Sequence, residues 1–145
     1  MNIGDKFFCS RCLTALDYEM ICPICNYDPS GPVDPNALEE GTILCKGRFQ
    51  VGAVYKHCKT GFIYGSYDFL RACPVFLFEF FPNQISKRDM ASGTTVIVKE
   101  EDTDTYIEQK NLYRTALPSG SELFEENNTF YVIDIIGENC LCTTE

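Results

Sequence analysis

Positive charge is scarce in this chain of 145 residues: 12 Lys plus Arg stand against 21 Asp plus Glu, for a formal charge of −9. That balance opposes the counterion release that drives non-specific nucleic-acid binding. Even residues 1–30 carry only Lys6 and Arg11 against Asp5, Asp17, Glu19 and Asp28. With no basic residues interleaved with aromatics, nucleic acid is not an expected partner. Long apolar runs are lacking too, since no stretch approaches the roughly 20 residues of a membrane helix, so no membrane partner is expected. The start, Met1-Asn2-Ile3-Gly4-Asp5, has neither the basic region nor the apolar run of a secretion signal, and a cytoplasmic location is the expectation. There is one histidine, His57, and there is no internal repeat or low-complexity tract.

Apolar residues make up 45% of the chain, and 11 Phe with 8 Tyr supply ample core material, which argues against disorder throughout. Nine cysteines are the other conspicuous feature. In a reducing compartment, paired C-x-x-C spacings point to metal rather than to disulfides. Cys9-x-x-Cys12 and Cys22-x-x-Cys25 lie nine residues apart. They offer four soft thiolates in two knuckles that can close a tetrahedron around one structural Zn²⁺ per chain. Two disulfides, four unliganded thiols or an iron site are the alternatives. The Cys-Pro-x-Cys form resembles the second knuckle of zinc ribbons, with Asn26 where Gly is commonest, and Asn tolerates the left-handed backbone needed there. Cys45, Cys58, Cys73 and the Cys140-x-Cys142 pair lack ligand spacing and read as small buried residues or free thiols.

The pattern divides the chain into a ribbon over 1–28, a linker over 29–40 marked by Pro29, Gly31, Pro32 and Pro35, and a domain over 41–145. Runs rich in β-branched and aromatic residues at 42–54, 61–70 and 73–81 predict three consecutive antiparallel strands, and 94–99 a further short one. Thr103 or Asp104 can cap a helix reaching about Thr115. Segments 122–126 and 129–136 predict a hairpin turning at Asn127-Asn128. The fold class expected is α+β: a small ribbon, then a five-stranded antiparallel sheet with one helix. The separate cores predict that the domain stays folded when the ribbon does not.

Residues 41–137 resemble the N-terminal lobe of bacterial serine/threonine protein kinases, particularly those that begin with a zinc ribbon. The phrase carrying the likeness is Leu38-Glu-Glu-Gly41-Thr42-Ile43-Leu44, followed by Arg48-Phe49-Gln-Val51-Gly52. A second is Phe124-Glu-Glu-Asn-Asn-Thr129-Phe-Tyr-Val-Ile133. What the resemblance implies next is a glycine-rich loop over the ATP phosphates. In that register Lys56 and Cys58 stand at the first two glycine positions, and Gly61 alone survives. The strand that should carry the phosphate-holding lysine reads Val75-Phe76-Leu77-Phe78-Glu79, with Phe78 at the lysine and Phe76 at the small residue lying against adenine. The helix glutamate aligns with Glu108, which has no lysine to pair with. Asp134 and Ile135 depart from the usual hinge, and after Ile136 nine residues remain where the family has a catalytic lobe.

The resemblance therefore implies a degenerate, pseudokinase-like lobe and not an enzyme. Lys87-Arg88-Asp89 and Asp68-Phe69 look like broken catalytic motifs but fall between the strands of this lobe, and are read as chance. His57 beside Cys58 is a poor nucleophile pair, having no third group to orient it. The expected function is a protein-interaction or regulatory module, meeting a protein partner or a second copy through the underside of the lobe. A small-molecule or nucleotide-binding protein with a remodelled cleft is the alternative.

Overall fold

The computed structural model describes residues 1–118 and 121–133. Asp134, Ile135, Cys140 and Cys142 lie outside them. The N-terminal ribbon is a three-stranded antiparallel sheet of β1 (Asn2–Ile3), β2 (Lys6–Phe8) and β3 (Ala15–Leu16). The main sheet has six strands in the order β10-β11-β7-β6-β5-β4. These are β4 (Ile43–Leu44), β5 (Phe49–Cys58), β6 (Gly61–Asp68), β7 (Cys73–Phe80), β10 (Leu123–Glu126) and β11 (Thr129–Ile133). A separate hairpin pairs β8 (Ser86–Arg88) with β9 (Val96–Val98), and helix α1 spans Thr103–Thr115.

Three corrections to the sequence reading follow. The sheet has six strands, not five, because the run 42–54 is broken: Cys45, Lys46 and Gly47 all take positive φ (55°, 56° and 92°), which splits β4 from β5. The strand near 94–99 does not join the main sheet but pairs with β8, whose Ser-Lys-Arg sequence carries no strand pattern. Helix α1 has neither Thr103 nor Asp104 as its cap: it begins at Thr103 after the N-cap residue Asp102, no side chain caps it, and a short 3-10 turn, Glu100–Asp102, leads in from Lys99. The β10–β11 turn is as read, with Asn127 and Asn128 at φ 58° and 61°.

Strands β6 and β7 read as nearly continuous apolar runs because both their faces are covered. Register assigns the faces. Ile63, Gly65, Phe76, Phe78 and Val132 point one way, and Tyr64, Val75, Leu77, Glu79 and Tyr131 the other. On the first face Phe80 meets Tyr106 and Tyr113 of α1 at 5.5 and 5.6 Å and stacks on Phe130 at 5.2 Å.

The second face contains a buried charge. The Glu79 carboxylate has no solvent exposure and receives two bonds from the Arg88 guanidinium, at 2.7 and 2.6 Å. Tyr64 donates to it at 2.8 Å, while Arg88 also donates to the carbonyls of Asn36 and Thr94 at 3.0 and 2.7 Å. The Leu38 N–H donates to the Tyr64 hydroxyl at 2.9 Å, so the segment before the sheet is pinned by the same network, with Leu38 buried in the core. Burial pushes the Glu79 carboxyl up, and Glu79 in turn holds Arg88 charged against its own burial. A buried pair of this kind stabilises little against an apolar replacement but is costly to break from one side. We expect Arg88→Met to destabilise the chain by about 3–5 kcal/mol in urea unfolding, and Glu79→Gln with Arg88→Met together to cost less than Arg88→Met alone. Equal losses would show that the pairing does not matter.

Candidate metal centre and the aromatic face of the sheet

The ribbon has strands of two or three residues and almost no apolar interior; Cys9 and Cys22 are themselves its buried side chains. Its two knuckles repeat one geometry. Leu13 N–H bonds to the Cys9 carbonyl at 2.9 Å and Asn26 N–H to the Cys22 carbonyl at 2.8 Å. Both turning residues are left-handed, Leu13 at φ 67° and Asn26 at φ 62°. Asn26 was legible from its tolerance of that region; Leu13 was not, and its strained backbone is held by the knuckle it closes.

The turns bring the thiols of Cys9, Cys12, Cys22 and Cys25 within 4.8 Å of one another. Cys9 Sγ lies 3.6 Å from Cys25 Sγ, and Cys12 Sγ 3.7 Å from Cys22 Sγ. A tetrahedron with metal–sulfur bonds near 2.3 Å has edges of about 3.8 Å, so the thiols stand where such an ion would hold them. The Cys12 N–H faces Cys9 Sγ at 3.5 Å and the Ile24 N–H faces Cys22 Sγ at 3.4 Å, dipoles that suit thiolates. Without an ion the charges conflict. Burial, with the neighbouring thiols adding to it, pushes Cys25 up to about 12. Burial opposes ionisation of Cys12 as well, but the Thr14 hydroxyl and N–H outweigh it and bring that thiol down to about 7. A dication supplies the charge that lets all four ionise, so the cluster can hold a metal ion with every ligand from protein. The other described cysteines behave otherwise: Cys45 and Cys73 are free thiols, and Cys58 is buried, in line with its reading as a small buried residue, but disulfide-bonded, which removes the alternative of a free thiol.

On the sheet, Phe78 is fully buried against Phe130, with ring centres 6.3 Å apart. Phe76 is half-buried and packs on Tyr55 at 4.6 Å. Glu108 is exposed on α1, two residues beyond Tyr106, so it faces away from the side that meets Phe80. Lys56 is half-buried opposite Ile63 on the face of Phe76 and Phe78. Gly61 is explained by packing: a Cβ there would stand 2.0 Å from the Glu79 carbonyl oxygen of the neighbouring strand. His57 stacks on Phe62 at 4.1 Å and places Nδ1 3.5 Å from Asp34, a contact that leads away from Cys58. Asp68 is buried under Arg48, with bonds of 3.1 and 3.0 Å, and caps the turn at Leu70 and Arg71. Arg88 serves the Glu79 network. The two apparent catalytic motifs are thus structural, and the lone carboxylate inside the apolar run of β7 was the signal that a partner such as Arg88 had to exist.

Between the β5–β6 turn and α1 lies an open groove of about 250 Å³, lined by Lys59, Thr60, residues 82–85, Gln109 and Tyr113. Among the described residues no helix is long and apolar enough to cross a membrane.

No family model matches the chain, and no curated protein does. A solved structure titled "PpkA-294 apo form", of a bacterial serine/threonine kinase, aligns with a TM-score of 0.51 at 20% identity, covering 68% of this chain. The chain spans 38% of that structure's length. Likeness at this identity concerns the fold alone, and the fold is kinase-related, with a cysteine cluster at its N-terminal end. If the cluster is one closed site, protein purified without added metal carries one thiolate-bound ion per chain. Cys22→Ser should lower that content to a small fraction. Full metal retention by the variant would show that the ion sits elsewhere.

Proposed function

We propose that the chain is a non-catalytic, kinase-derived regulatory or protein-interaction module, with Zn²⁺ at Cys9, Cys12, Cys22 and Cys25 as structural ion. The observation that carries this reading is Phe78. It occupies the position of the phosphate-holding lysine, is sealed against Phe130, and faces no acidic partner because Glu108 points to solvent. Phosphoryl transfer depends almost wholly on positioned charge, and here an aromatic ring replaces that charge. Phe76 with Tyr55 fills the place where the resemblance puts adenine.

The partner surface follows from the same face. Aromatic contacts run from Phe8 to Tyr67 and on to Phe69, at 6.2 and 5.1 Å, with Leu70 beside them 74% exposed. Contiguous apolar surface of this kind favours a protein partner or a second copy. An all-thiolate tetrahedral donor set suits zinc or iron, and zinc is the ion of this proposal. The groove beside Lys59 favours a second reading, a small-ligand protein, since its lining joins Lys59, Thr60, Asn83, Gln84 and Gln109 to the apolar surface of Pro82, Ile85 and Tyr113.

A ligand that binds only the folded state raises its melting temperature in step with RT ln(1 + [L]/Kd). The chain should show no phosphoryl transfer and no melting shift with Mg·ATP at millimolar concentration. A magnesium-dependent shift that Phe78→Lys leaves unchanged and Lys59→Ala abolishes would overturn the first reading in favour of the second.

A further inference from the structure

The ribbon does not stand clear of the sheet. Gly52 and Gly65 lie side by side on β5 and β6, and Gly65, paired with Phe76, opens onto the face that also carries Phe78. A Cβ on Gly65 would stand 2.3 Å from the Ser10 carbonyl oxygen and 2.9 Å from that of Arg11. A Cβ on Gly52 would stand 2.6 Å from the same Ser10 oxygen. At Gly65 no side chain fits while the first knuckle is seated there, whereas at Gly52 the Gly65 carbonyl oxygen, 2.5 Å from such a Cβ, excludes one as well as the knuckle does. The Ser10 carbonyl also accepts the Ala53 N–H at 2.7 Å, supplying a backbone bond where β4 no longer runs beside β5. Ser10 is buried, its hydroxyl bonds Glu40 at 3.3 Å, and Tyr27 of the second knuckle donates to the same carboxylate. Phe8 completes the seat against Tyr67.

Ser10 sits between Cys9 and Cys12, so the direction of its carbonyl is set by closure of the cluster. The ribbon has no apolar core to preserve that closure once the ion is gone, and small metal modules of this type lose their fold with the metal. We infer that the metal centre is a gate: with the ion bound, the first knuckle is clamped onto Gly52 and Gly65 and covers the Tyr67 end of the sheet's first face. With the ion lost, the knuckle lifts and the Tyr67 end of that face is uncovered. This rests on the cluster holding a metal. By linkage the coupling is reciprocal, so docking of the knuckle on the sheet tightens metal binding.

The test is amide exchange on the full chain, metal-loaded and after chelation, with metal content measured in each sample. Removing the ion should speed exchange at Ala53 by about tenfold or more, while Phe78 and Val132 in the sheet interior keep their protection. Gly65→Ala, which blocks the seat but touches no cysteine, should still carry one metal per chain yet show fast Ala53 exchange whether or not the metal is present. Unchanged Ala53 protection after verified metal loss overturns the gate and leaves the metal site standing. Ala53 protection in Gly65→Ala equal to that of the parent chain also overturns it. If the parent chain binds no metal, the gate and the site fall together.

Discussion

Four thiols within 4.8 Å of one another are the constraint on which the N-terminal ribbon of this structure depends. Four thiols crowded together cannot all ionise without a cation, and the ribbon around them is too small to hold them by packing. An ion with four bonds resolves the conflict and closes the cluster. Closure then fixes both left-handed turns, at Leu13 and Asn26, and through Ser10 it fixes where the ribbon meets the sheet. Small local geometry at the cysteines is carried into tertiary contact by one carbonyl and two glycines.

The sheet itself is organised by a different balance. Its first face is packed with aromatic rings, as Phe76, Phe78 and Phe80 fill it and α1 turns Tyr106 and Tyr113 toward Phe80. Its second face retained one charge, Glu79, and surrounds it with Arg88, Tyr64 and the backbone of residues 36–38. Apolar burial on one side and a fully paired carboxylate on the other explain how β7 can be buried on both faces without an unsatisfied group in its middle.

Much of this was legible in the residues, for identifiable reasons. Cysteine spacing revealed the cluster because metal geometry permits few arrangements, and Asn127-Asn128 revealed its turn because few residues accept positive φ. Strands β6 and β7 were legible from their length of apolar sequence. What escaped were features decided by distant partners. β8 exists because Arg88 must reach Glu79, and neither Ser86 nor Lys87 announces a strand. The split of 42–54 hides in Cys45 and Lys46, residues with no general liking for the left-handed region. The seat at Gly52 and Gly65 was invisible because Gly52 reads as part of a family phrase and Gly65 as a strand glycine, until Ser10 is placed over both.

The central claim, that one ion closed by four cysteine sulfurs organises the ribbon, is tested most directly by X-ray absorption at the zinc edge of the purified full chain. The account predicts four sulfur neighbours at about 2.3 Å and no lighter ligand. Oxygen or nitrogen in the coordination shell, or a zinc-free sample whose cysteines are joined as disulfides, would contradict it.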